Sequence, residues 1–176
     1  MLKKFLLCVA IFLFAANVTH AKPISDSRGD IFISVMEIFG KKIGADFNFW
    51  GKEYYTYQGA LRLEFHFGSS KNNLVRLRLN GDSVERALIS LPINSNDSDG
   101  KQSVRVMQAV LWTSGVTPEA IDDFTDKLLE DMQTADRRAT HFKKKYSVWS
   151  QAHNQYLTVD FEVIKNGTVD FYIYAE

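Results

Sequence analysis

The stretch YLTVDFEVIKNGTVDFYIYA, residues 156–175, decides the fold class. Apolar and polar residues alternate on both sides of its centre, which is the pattern of half-buried β-strands. The centre, Lys165-Asn166-Gly167, is a three-residue loop that ends in glycine, a standard hairpin connection. This loop pairs each inward-facing residue with another apolar one: Val163 with Val169, Phe161 with Phe171, and Val159 with Ile173. The hydrophobic pattern therefore predicts an antiparallel hairpin in this register.

The segment HFKKKYSVW, residues 141–149, predicts a strand that precedes the hairpin. Opposite charges across neighbouring strands contribute roughly 0.2–1 kcal/mol per pair. Strict alternation turns Lys143 and Lys145 outward but turns Lys144 toward the core, unless the strand begins after Lys144 or a bulge turns its side chain out. A four-residue loop at 150–153 gives these pairs: Lys143 with Asp160, His141 with Glu162, Lys145 with Thr158 and, one strand further, Glu162 with Asp170. The basic run is therefore predicted to balance an acidic strip rather than to form an anion site.

Alternation also predicts strands over residues 61–67 and 75–79, followed by a turn at Asn80-Gly81. Residues 84–93 fit both a strand and a helix, and the preceding turn and following proline favour a strand. The residues predicted to face outward from the first two strands are Arg62, Glu64, His66, Arg76 and Arg78.

Helical spacing of apolar residues predicts three helices. The first spans residues 30–44, with Asp30 as its N-cap. The second spans 102–114, after a polar loop at 94–101. The third spans 118–134; its acidic outer face is interpreted most simply as solvated. The apolar face of the first helix is predicted to comprise Ile31, Val35, Ile38 and Phe39, and to be widened by Phe32, Met36 and Ile43.

Segregated runs of strands and helices indicate an α+β fold. The predicted order is α-βββ-αα-βββ, with the third strand ambiguous. A mainly antiparallel, twisted sheet with helices packed on one face follows from that order.

The first residues, MLKKFLLCVAIFLFAANVTHA, have the layout of a secretory signal peptide. A short basic start precedes an apolar run that is too short for a membrane span of about 20 residues. We expect cleavage after Ala21, so that residues 22–176 form one globular domain with no transmembrane segment. The style of the signal indicates a bacterial, Gram-negative periplasm, with secretion as the alternative.

Composition excludes several classes of function for residues 22–176. Without Lys3 and Lys4, 19 basic residues remain against 21 acidic ones, a formal net charge of −2. A nucleic-acid-binding protein would need a basic excess on one face. Cys8, the single cysteine, lies in the signal, which excludes disulfides, thiolate zinc sites and a cysteine nucleophile.

No pattern of catalytic or cofactor-binding residues stands out. A nucleophile elbow, a phosphate loop and a dinucleotide fingerprint are all lacking, and no two histidines have the spacing of a zinc site. Ser70 and Lys71 are more typical of a turn than of a nucleophile and its base. The oxygen-rich segment 94–101 does not continue to the glutamate of a calcium loop. We therefore predict no enzyme activity, no metal and no cofactor.

Exposed aromatic residues are the remaining functional signal, since Trp and Tyr dominate binding hot spots. With export and small size, they favour a non-enzymatic protein-binding module with a protein partner, most concretely a periplasmic inhibitor or immunity-type protein. A small-ligand or lipid-binding envelope protein is the alternative, and an envelope hydrolase with an unrecognised site is the second alternative. The candidate partner-binding residues are Trp149, Lys143, Lys145, Tyr172, Tyr174, Trp50, Tyr54 and Tyr55.

Overall fold

The computed structural model describes residues 22–93, 95–134, 141–164 and 167–176. Within these ranges the chain forms three helices and one seven-stranded sheet, which confirms the predicted α+β class. The expected signal, residues 1–21, lies outside them. In chain order the elements are α1 (Gly29–Lys42), β1 (Trp50–Tyr57), β2 (Ala60–His66), β3 (Leu74–Asn80), β4 (Ser83–Pro92), α2 (Asp97–Thr113), α3 (Pro118–Thr134), β5 (His141–Ser150), β6 (Gln155–Ile164) and β7 (Thr168–Ala175).

The sheet consists of two antiparallel meanders joined side by side. Its strand order is β1-β2-β3-β4-β7-β6-β5, so β4 and β7 form the seam between the meanders. The predicted hairpin register holds throughout β6 and β7, including the pair of Glu162 with Asp170. The segment at 84–93 is a strand, as its flanking residues favoured.

Strand β1 is the element that the sequence pattern missed. Seven of its eight residues are exposed, so no apolar alternation marks it. A two-residue turn at Gln58-Gly59 joins it to β2, and both turn residues have positive φ. That combination is typical of a tight hairpin turn.

The three helices pack on one face of the sheet, which we call the covered face. Gly29 of α1 lies so close to Leu63 of β2 that a Cβ atom on it would be 3.0 Å from the leucine side chain. Phe39 of α1 stacks on Trp112 of α2, with ring centroids 5.2 Å apart. The strand residues that this packing buries include Leu63, Phe65, Val75, Leu77, Ala87, Ile89, Val159, Phe161, Phe171 and Ile173.

Helix α1 differs from its prediction in cap and orientation. Arg28 precedes the helix without a side-chain capping bond, and Asp30 lies in the first turn instead of capping it. Phe32 and Met36 are buried, as part of the predicted apolar surface, whereas Ile31 and Ile38 are about half exposed. The apolar positions surround more than half of the helix, so spacing alone did not determine which side meets the sheet.

Helix α2 begins at Asp97, five residues before the prediction, so most of the expected polar loop is helical. The side chain of Asn96 accepts a hydrogen bond from the backbone N–H of Asp99 at 2.8 Å. Asp97 and Asp99 lie in the first turn, where the helix dipole favours negative charge. Helix α3 spans 118–134 as predicted, and Thr117 caps its first turn.

Among the described residues, no helix is long and apolar enough to cross a membrane.

Candidate binding surface on the open face of the sheet

The face opposite the helices, which we call the open face, carries the alternate side chains of the same strands. Arg86, Lys143 and Tyr172 are exposed there. A groove of about 530 Å³ crosses the middle of this face from β2 to β6. Arginines line its β2–β4 side, and Lys143, Asp160 and Glu162 line the other, with Tyr172 and Tyr174 between them.

Three arginines form a row across the β2–β4 side of the groove. Arg62 lies opposite Arg78, and Arg78 lies opposite Arg86 on the next strand. Like charges directly opposite one another destabilise a sheet. Only Arg78 of this row forms an ion pair among the described residues, with Glu85 at 2.9 Å. The row therefore costs stability unless something else compensates its charge.

A β-bulge in β4 produces this row. The register shifts by one residue between Arg78 and Leu79, and Glu85 is the extra residue on the opposite strand. The shift changes the phase of β4, so that Val84 and Ala87 both face the helices. It also places Arg86 on the open face, opposite Arg78. Bulges of this kind re-aim side chains and are frequent near functional sites.

A compensated arginine lies beside the row. Both Nε and Nη2 of Arg76 donate to Oε2 of Glu64, at 2.9 and 2.7 Å. The hydroxyl of Tyr55 donates to the same oxygen at 3.1 Å. Burial acts to lower the pKa of Arg76, but its bonds to Glu64 outweigh burial and raise the pKa above its usual value. Arg76 is thus held in a local ion pair, unlike the arginines at the ends of the row.

The other side of the groove is the predicted charge ladder, in a register shifted by two residues. Lys143 lies opposite Glu162 and Lys145 opposite Asp160, because the loop occupies 151–154 instead of 150–153. Lys143 and Lys145 keep the predicted face, since a shift of two preserves alternation. The shift also pairs His141 with Ile164, so the predicted pair of His141 with Glu162 is wrong.

Lys143 bridges the acidic strip as a ladder requires. Its Nζ lies 4.0 Å from Oδ2 of Asp160 and 3.9 Å from Oε2 of Glu162. Lys145 contacts the terminal Glu176 at 3.9 Å, and its hydrogen bond to Tyr174 raises its pKa. Half-exposed ion pairs of this kind contribute roughly 0–1 kcal/mol each.

Lys144 points to the covered face, and neither a late strand start nor a bulge is present. Its ammonium group pairs with Asp131 of α3, and the hydroxyl of Tyr146 donates to the same carboxylate at 2.9 Å. These bonds to Lys144 and Tyr146 hold the pKa of Asp131 below its usual value. Asp131 therefore supports the helix–sheet contact, and only the rest of the acidic outer face of α3 remains solvated.

A buried polar pair anchors the centre of the open face. The hydroxyl of Ser90 donates to Oδ1 of Asp170 at 2.6 Å, and both residues are buried. The hydroxyl of Tyr172 donates to the other oxygen of Asp170 at 3.3 Å. Burial, and then the charge of Asp170, raises the pKa of Tyr172. The bond to Asp170 holds the Tyr172 side chain in the lining of the groove.

Tyr172 and Tyr174 lie inside the sheet on β7, and the other aromatic candidates lie at its two opposite edges. Trp149 packs edge-on against Tyr156 at the β5 edge, with ring centroids 4.9 Å apart. Trp50 packs at a tilt against His66 at the β1 edge, and its indole N–H donates to the carbonyl of Gly68 at 3.0 Å. Tyr54 pairs with Leu63 and so lies on the covered side of β1.

The structure thus brings seven of the eight candidates to the open face and leaves Tyr54 on the other side. Sequence reasoning missed the arginine row between them. It placed Arg62, Arg76 and Arg78 outward but did not pair them, and it left the orientation of Arg86 open. The turn after β3 was a signal that pairs β3 with β4. The sequence contains no equally direct signal for the bulge.

The described residues do not form a geometry that supports the metal, nucleophile or small-ligand sites considered from the sequence. Within the described ranges, no group of three His, Asp or Glu side chains is arranged to hold a metal ion. Ser70 accepts the backbone N–H of Asn72, the turn role that its sequence predicted. An apolar cleft of about 250 Å³ between α2 and the ends of β4 and β7 lies below the range of about 300–1,000 Å³ typical of ligand pockets.

No protein-family model, curated protein or solved structure matches the chain.

Proposed function

We propose that this protein is an exported, non-enzymatic binding module that contacts a partner protein through the open face of its sheet. An inhibitor or immunity-type protein of the bacterial periplasm is the most concrete form of this proposal. The main support for this proposal is the difference between the two faces of the sheet: helices cover one face, and no described helix packs on the other.

The dimensions of the open face suit a protein partner. Seven strands about 4.8 Å apart and about eight residues long give a face of roughly 30 Å by 25 Å. A standard protein interface buries about 800 Å² on each partner. The groove itself is wide and open to solvent, and its floor includes Leu88 between charged and tyrosine side chains. Tyrosine and arginine, which line this groove, are among the residue types enriched in protein interfaces.

The side chains of the face suit recognition as well. Tyr172 and Tyr174 are held in place by hydrogen bonds to Asp170 and Asp160, each at 3.3 Å. A tyrosine that is already positioned loses little conformational freedom on binding. The face therefore offers large contact groups at low entropic cost, next to charges that set specificity.

Site-specific photo-crosslinking tests this function. A benzophenone amino acid replaces Tyr172 on the open face, and in a matched variant it replaces Ile38, which is 51% exposed on α1. Both variants are irradiated in the cells that make the protein. We expect one defined protein adduct from position 172 and none from position 38.

Two results would contradict the proposal. The first is the absence of any protein adduct both from the benzophenone amino acid at position 172 and from the same probe in place of Leu88, in the floor of the groove. The second is the same adduct from positions 172 and 38, because contact on both sides would not identify the open face.

A further inference from the structure

The two arginines at the ends of the row are basic groups of the open face without an acidic partner among the described residues. Neither Arg62 nor Arg86 forms an ion pair with any residue that the structure describes, whereas Arg78 and Arg76 have Glu85 and Glu64. The contrast lies within one small area, because neighbouring strands are about 4.8 Å apart.

Aromatic rings position both of these guanidinium groups. The guanidinium carbon of Arg62 lies 4.6 Å from the ring centre of Tyr57, and that of Arg86 lies 5.7 Å from the ring centre of Tyr174. Stacking uses the flat face of a guanidinium group and leaves its N–H donors in the plane available. The Nε of Arg62 is buried and has no hydrogen-bond partner among the described residues. The two Nη groups of Arg62 are not among the buried unpartnered atoms, so a carboxylate can reach this guanidinium group at its Nη end.

The opposite side of the groove limits what the ligand is. Asp160, Glu162 and Asp170 on β6 and β7 outnumber Lys143 and Lys145 on the same face. A long polyanion such as a nucleic-acid strand would meet this negative charge as it crossed the sheet. A protein segment with acidic side chains confined to one end would not. Carboxylates also accept paired N–H bonds from arginine in a planar, two-bond geometry.

We propose that Arg62 and Arg86 bind carboxylate side chains of an acidic segment of the partner protein. The two arginines are two strands apart, about 10 Å, so two carboxylates of one segment fit them better than a single small anion does. This inference rests on the proposed function and specifies the chemistry of the partner.

A fluorescein-labelled hexaglutamate peptide tests the inference with the purified, exported protein. Fluorescence anisotropy at low salt is compared for the wild type, for Arg62→Gln/Arg86→Gln and for Arg28→Gln/Arg105→Gln. The last is the matched control, because it removes two exposed arginines that lie outside the groove. We expect binding to the wild type and the control, and binding that is weaker by about tenfold or more in the groove variant, a loss of the size that charge-assisted hydrogen bonds produce.

A spectroscopic readout on the wild type removes dependence on the folding of the variants. The Nε–H signal of Arg62 in a ¹H–¹⁵N spectrum is expected to shift when hexaglutamate is added and to stay in place with hexaglutamine. The inference is overturned if hexaglutamate does not bind the wild type, if the groove variant binds equally well, or if the control variant loses as much affinity.

The crosslinking and peptide experiments fail independently. A protein adduct at position 172, together with no arginine-dependent peptide binding, overturns only the inference about acidic segments. Arginine-dependent peptide binding without any adduct at positions 172 and 88 leaves the anion site standing and contradicts the proposed protein partner.

Discussion

The two faces of the sheet are built from alternate residues of the same strands, yet they differ in almost every physical respect. On β3, Val75 and Leu77 are fully buried, while Arg76 and Arg78 project from the other face. On β7, buried Phe171 alternates with exposed Tyr172. The covered face has helices packed against it, and the open face carries a groove and a row of like charges.

This difference assigns most of the folding stability to the covered face. Burying a large apolar side chain stabilises the fold by about 1.5–3 kcal/mol, and partly exposed ion pairs contribute roughly 0–1 kcal/mol. The fold therefore depends on the covered face. The open face can carry arginines opposite one another because the covered face supplies the free energy of folding.

The largest expected effect comes from removing a core ring of the covered face. Phe161→Ala should lower the free energy of unfolding by about 3–5 kcal/mol, because Phe161 is buried against Phe142 and Phe171 and the substitution leaves a cavity. Tyr172→Ala, its counterpart on the open face, should cost about 1 kcal/mol or less. Urea unfolding measures both values, and equal losses would contradict the division between the faces.

The next largest effect is expected at a buried hydrogen bond on the open face, where other substitutions should change stability little. Ser90→Ala should cost about 1–3 kcal/mol, because it leaves the buried Oδ1 of Asp170 without its donor. Ser147→Ala, at an exposed position on the open face of β5, is the control and should change stability little. Thermal unfolding of the pair is the measurement. If Ser90→Ala matched its control, the buried Ser90–Asp170 bond would not stabilise the sheet.

A smaller effect, dependent on pH, is expected where α3 meets β5. Lys144 and Tyr146 lower the pKa of Asp131 in the folded protein, so its carboxylate contributes stability above the usual carboxyl pKa of about 4. That contribution is lost as pH falls through the lower, folded-state pKa. Asp131→Asn should thus be less stable than the wild type at pH 7, and the gap should close toward pH 3.

The control for this prediction is Asp126→Asn, an exposed position on the same helix. Chemical unfolding at pH 7, 5 and 3 gives the comparison. A gap for Asp131→Asn that stays constant across this range, or an equal gap for Asp126→Asn, would show that the contact with Lys144 does not stabilise the fold.

The sequence predicts the parts of the fold in which local signals agree. The hairpin of β6 and β7 is correct residue by residue, because the turn and the hydrophobic pattern select one register. The β5–β6 pairing is correct in face but not in register, since a loop at 150–153 and one at 151–154 place the same side chains outward. Strand β1 has no buried alternation and was missed.

The ambiguity of residues 84–93 has a physical cause. The bulge at Glu85 shifts the phase of β4, so that Val84 and Ala87 share the covered face three residues apart, as they would in a helix. The same bulge sets Arg86 opposite Arg78. The bulge that aligns the three arginines also breaks the sequence alternation of β4. The arginine row is therefore recognised from the register of the sheet and not from the sequence pattern.

The most direct test of the division between the faces is the stability of Arg86→Gln, for which the smallest change is expected. Arg86 lies opposite Arg78 and has no described carboxylate partner, so removing its charge relieves repulsion within the sheet. The substitution also removes the contact with the Tyr174 ring, so urea unfolding at low ionic strength should give an unfolding free energy that changes by no more than about 0.5 kcal/mol. A loss of more than about 1 kcal/mol would mean that Arg86 supports the fold, and it would contradict the account of the open face as a binding surface.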